Sequence, residues 1–104
     1  MTHNMEAHGA VQRDRLVKTT AARLRELTKD NDHLGALRLI ARTFFTRHDK
    51  RLADALDALG VLHAYQGSLD EHLSAIEHKL RGYTMNVLRE NLPKHHYDII
   101  REAL

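Results

Sequence analysis

Apolar residues return every three or four positions along this chain, between widely spaced helix breakers: one proline, Pro93, and five glycines in 104 residues. That spacing follows the 3.6-residue turn of an α-helix, whereas a half-buried strand needs a period of two. Runs of alternating β-branched residues are absent, as are the hairpin dipeptides Asn-Gly and Asp-Gly. With two Phe, three Tyr and no Trp, the core must be built from Leu, Ile, Val and Ala. The expectation is an all-α fold, a single small bundle of four to five helices. A chain of this length supports one core and not two, so residues 11–104 are expected to form one domain, with a disordered N-terminus over 1–10.

The helices can be placed from their faces and caps. From Val11 to Lys29, the residues Leu16, Thr20, Leu24 and Leu27 share one face. Lys29-Asp30-Asn31-Asp32 reads as a turn, and Asp32 as the cap of a second helix carrying Leu34, Leu37, Ile40, Ala41, Phe44 and Phe45. Thr46-Arg47-His48-Asp49 has the form of a cap for a third helix with Leu52, Leu56, Leu59 and Leu62, loosened at its end by Gly60 and Gly67. Ser68 and Glu71 have capping-box spacing ahead of a fourth helix, in which Leu69, Leu73, Ile76, Leu80, Tyr83 and Val87 form a seam suited to another helix. Pro93 ends that helix and is expected in the first turn of a short fifth, with Tyr97, Ile100 and Leu104.

Composition excludes several function classes. There is no cysteine, hence no disulfide, thiolate metal site or Cys nucleophile. No apolar run nears the roughly 20 residues needed to span a bilayer, and the first residues lack a signal-peptide apolar block; a cytoplasmic protein without membrane contact is expected. Nine histidines invite a metal, but His72 and His78 are six apart, and His95 and His96 are adjacent. Neither pair has the three- or four-residue spacing of ligands on one helix face, and no metal or cofactor is expected. Arg42–His48 and Arg89–His95 have the Arg-x5-His spacing of the helical HEPN ribonucleases. With 11 Arg and 9 His, however, chance supplies such pairs. Ser68 and Ser74 are the only serines and no glycine-rich phosphate loop occurs. The chain is not expected to be an enzyme.

Charge is distributed unevenly. Residues 1–51 hold 11 Lys/Arg against 6 Asp/Glu, and residues 52–104 hold 5 against 8. Arg13, Arg15, Lys18, Arg23 and Arg25 of the basic half are candidates for sequence-independent contact with nucleic-acid phosphates. The acidic half, with Asp70, Glu71 and Glu77, is the candidate surface for a protein partner.

The stretch Glu77-His78-Lys79-Leu80, then Thr84-Met85-Asn86, Leu88, Pro93, Tyr97 and Ile100-Arg101 resembles the end of the Hha/YmoA proteins, small helical nucleoid-associated modulators of gene expression. Asp54-Ala55-Leu56 and 68–73 can be laid against the same family's earlier helices, so the resemblance covers about half the chain. It implies transcription regulation by docking on an H-NS-like DNA-binding partner, with acidic residues meeting the partner's arginines. Only Glu77 falls on the family's acidic contact position. A self-associating structural, antitoxin-like or inhibitory protein, dimerising through the Leu69–Val87 seam, is the alternative.

Overall fold

The computed structural model describes the backbone of residues 2–104 and the surroundings of Gly9 and of the side chains of 11–104. Five helices follow in order: α1 (Thr2–Lys29), α2 (His33–Phe44), α3 (Lys50–Gln66, preceded by a 3-10 turn at Arg47–Asp49), α4 (Glu71–Asn91) and α5 (Lys94–Glu102). There is no strand among the described residues. The all-α bundle is therefore as expected. α1 begins at Thr2 and not at Val11; the side chains that would bear on a disordered stretch at 1–10 are, Gly9 apart, outside the described residues.

The connections follow from local hydrogen bonding. α1 ends where Asn31 takes a left-handed conformation, φ 61°. Asn31 N–H then donates to Thr28 at 3.0 Å and Asp32 N–H to Leu27 at 2.8 Å, closing a Schellman turn with Asn in the place usually held by Gly. Asp32 caps α2 at once, its Oδ1 accepting from Gly35 N–H at 2.9 Å. The Thr46–Asp49 pair forms as read, with the Asp49 carboxylate accepting from Thr46 N–H at 3.1 Å, but it caps the 3-10 turn that feeds α3. At the other end of α3, Gly67 adopts φ 77°, and its N–H donates to His63.

Four expectations are corrected. Ser68 is not the cap of α4: Asp70 is, its Oδ1 accepting from Leu73 N–H at 2.8 Å. An ionised carboxylate is the stronger acceptor, and Gly67 has already bent the chain at Ser68. Pro93 stands one position before α5 and supplies its first acceptor, the carbonyl bonded by Tyr97 N–H. Gly60 does not loosen α3 but is buried within it. Its missing Cβ leaves room for the Arg38 guanidinium, which crosses to Asp57 at 3.1 Å. Leu16 is 46% exposed; the buried face of α1 is Val17, Thr20, Ala21 and Leu24.

α2 packs on α1, α3 and α4 and separates two apolar clusters. On one side Ala36 and Ile40 meet Val17, Ala21 and Leu24 of α1, Leu88 of α4, and Ile100 and Ala103 at the C-terminal end. On the other Leu34, Leu37 and Ala41 meet Leu56 and Leu59 of α3. Thr84 is wholly buried, and its hydroxyl is satisfied by donating to the Leu80 carbonyl at 2.7 Å. Truncating the fully buried Leu88 to Ala should lower the unfolding free energy by ~2–5 kcal/mol, while Leu16→Ala should cost less than ~1 kcal/mol. Urea titrations of the two variants check this, and equal losses would mean that Leu16 is core after all.

Candidate binding surfaces

Glu77 lies half-buried on α4 where that helix faces α2 and α3. Two adjoining clefts share it. One, of about 170 Å³, is lined by His33, Leu37, Ser74, Glu77, His78, Arg81 and Leu104. The other, of about 270 Å³, is lined by 30–34, His63 and Glu77. His33, His63 and His78, scattered in sequence over three helices, thus border one recess around a carboxylate. No set of three His, Asp or Glu among the described residues is arranged to hold a metal ion. Glu77 forms no ion pair with another described residue.

The other two acidic candidates are placed differently. Asp70 is committed as the cap of α4. Glu71, in the first turn, is exposed. Six residues from Glu77 is ~9 Å along a helix, and Glu71 lines neither cleft.

The cations of α1 do not form one stripe. Lys18 pairs with Asp14 at 3.0 Å and Arg23 with Glu26 at 3.1 Å. Arg15 and Arg25 are exposed and unpaired among the described residues, Arg15 on the face opposite Val17 and Leu24 and Arg25 to one side of it. Arg13 stands one turn before Val17 on the same helical face, yet is exposed.

One residue of the interior was not legible as such. His96 is buried, with neither ring nitrogen hydrogen-bonded. Its Nε2 approaches Asp14 Oδ1 at 3.4 Å but is not aligned as a hydrogen bond. Its neighbour His95 is exposed, their ring centroids 4.0 Å apart. The signal available in the sequence was its position four residues before Ile100, on the inward face of α5. Of the Arg-x5-His pairs, Arg89 is engaged with Asn86 at 3.3 Å, and Arg42 and His48 are both exposed.

The Leu69–Val87 seam is divided by the fold. Leu69, Leu73 and Leu80 pack against the α2–α3 cluster. Tyr83 is 57% exposed, and Ile76 and Val87 are half-buried outside both clusters. No described helix is long and apolar enough to cross a membrane. No protein-family model, curated protein or solved structure matches the chain.

The Asp14 carboxyl is held below its usual value chiefly by the hydrogen bond from the Lys18 ammonium, with partial burial opposing and the Lys18 charge and His96 reinforcing. A depressed folded value means that Asp14 contributes stability above the ordinary carboxylate range, lost as pH falls through the lower folded value. Asp14→Asn should therefore flatten the acid limb of the thermal stability profile below about pH 5 and leave its slope near neutrality unchanged. An unchanged acid limb would mean that the Lys18–Asp14 pair does not stabilise the fold.

Proposed function

We propose that this chain is a small regulatory binding protein, with no catalytic step, that joins a basic segment of a protein partner to DNA. The supporting observation is Glu77: a half-buried carboxylate shared by two clefts and lacking an ion-pair partner among the described residues. A carboxylate partly removed from water gains most from an arriving cation, and an Arg or Lys side chain fits a recess of this size. The resemblance to the Hha/YmoA proteins points the same way, to an H-NS-like partner whose arginines reach this position. Exposed Arg13, Arg15 and Arg25 supply phosphate contact on the same small body.

Glu77→Lys should abolish capture of an H-NS-like protein, and Glu77→Gln should weaken it by ~10-fold or more, the scale of one lost charge-assisted contact. Surface immobilisation with the partner in solution measures both. Full retention by Glu77→Lys sinks the partner half of the proposal.

The exposure of Tyr83 beside Ile76 and Val87 favours a second reading, self-association along the outer face of α4. Sedimentation velocity should then show a dimer that Ile76→Asp dissociates. A monomer at high protein concentration rejects that reading.

A further inference from the structure

The fold sorts charge along the bundle in a way that the two halves of the sequence do not. α2 runs from the end where Asp32 caps it to the end where Arg42 lies in its last turn. There the chain turns into α3, and Asn91, at the close of α4, donates to Asp49 at 3.2 Å, drawing the α4 terminus to the start of α3. α5 begins three residues later, and the 3.4 Å approach of Asp14 to His96 brings α1 past the same place. One end of the bundle therefore gathers Arg42, Arg47, Arg51, Arg89 and Lys94. All five are exposed, and none forms an ion pair with another described residue. Arg13 flanks them on α1. The acids at this end are mostly engaged: Asp49 with Thr46 and Asn91, Asp54 with Lys50, Asp14 with Lys18 and Asp98 with Arg101. Glu90 is left. The opposite end holds Asp30, Asp32, Asp70 and Glu71 beside Lys29.

We infer that this basic end is a docking surface for the phosphodiester backbone of duplex nucleic acid, with Arg89 and Lys94 at its centre. This rests on the DNA contact proposed above but moves it from the α1 face to a surface assembled from four helices. Arg89 and Lys94 come from the half of the chain with net negative charge, so composition could not have nominated them. A duplex is favoured over a single strand because no exposed Phe, Tyr or Trp is available for base stacking at this end. Tyr97 is half-buried with the Arg101 guanidinium 5.9 Å above its ring, and Phe44 and Phe45 pack against the core. A groove of about 440 Å³ lined by Arg89, Leu92, Lys94, Tyr97, Asp98 and Arg101 continues the surface along α5. The bundle is 29 by 21 Å in its two shorter dimensions, enough to face several phosphates of a helix that carries one charge per ~1.7 Å.

The test is fluorescence anisotropy of a labelled random-sequence duplex of about 20 base pairs, titrated with the full chain between about 50 and 200 mM salt. About five neutralised phosphates give a slope of log K against log salt near −4.5. Arg89→Gln with Lys94→Gln should reduce its magnitude by about 1.8, at ~0.9 per contact. Lys29→Gln with Lys79→Gln, an equal charge change away from this end, should leave it within about 0.5. Circular dichroism melts establish that both double variants fold. An equal reduction from both pairs, or none from Arg89 and Lys94, overturns the inference while leaving DNA contact intact. Absence of duplex binding by the unaltered chain overturns both, as does binding to anionic phosphatidylserine vesicles in place of duplex.

Discussion

Everything in this bundle depends on α2 being buried on two sides at once. Leu34, Leu37 and Ala41 face α3, and Ala36 and Ile40 face α1, α4 and the C-terminal end. A helix of 12 residues is marginal alone; here its stability comes from the surfaces around it. Because α2 fills the centre, each outer helix needs only one buried stripe, and the rest of its circumference is left for charge. A body this small has no room for an enclosed pocket, so its recesses lie on the surface between helices, as around Glu77.

The charge separation has a physical origin in helix direction. α2 and α4 run the same way, since α3 returns between them. Acidic residues are favoured at helix N-termini and basic ones at C-termini, where they complement the partial charges of unpaired backbone groups. In α2 and α4 that preference places Asp32, Asp70 and Glu71 at one end and Arg42 and Arg89 at the other. With parallel dipoles the two preferences add. The surface that suits a polyanion is thus continuous with the chemistry that stabilises the helices, and the acidic recess lies toward the opposite pole.

Much of the fold was legible. Apolar period and cap residues gave the five helices, the Asp32 cap, the Thr46–Asp49 pair and the stop at Pro93, because those interactions join residues within one or two turns. The errors arose where two local solutions competed. Ser68 and Asp70 could both cap α4, and the carboxylate prevailed. Leu16 and Val17 both satisfy a helical period, and the position of α5 and α2 against α1 selected Val17. Gly60 looked like a weak point because its value lies in a neighbour, the Arg38 side chain that passes over it.

The candidate sites were legible as residue types but not as places. The sequence by itself determined that the chain would be helical, where the helices stop, and which residue types stand at Glu77 and the arginines. The first two follow from backbone geometry and short-range hydrogen bonds. Only the tertiary structure decided that His33, His63 and His78 border one recess, that His96 is buried against Asp14, and that Arg42 and Arg89, 47 positions apart in sequence, belong to one surface. Those facts depend on which helix faces pack together, and packing is set by the whole complement of apolar surface.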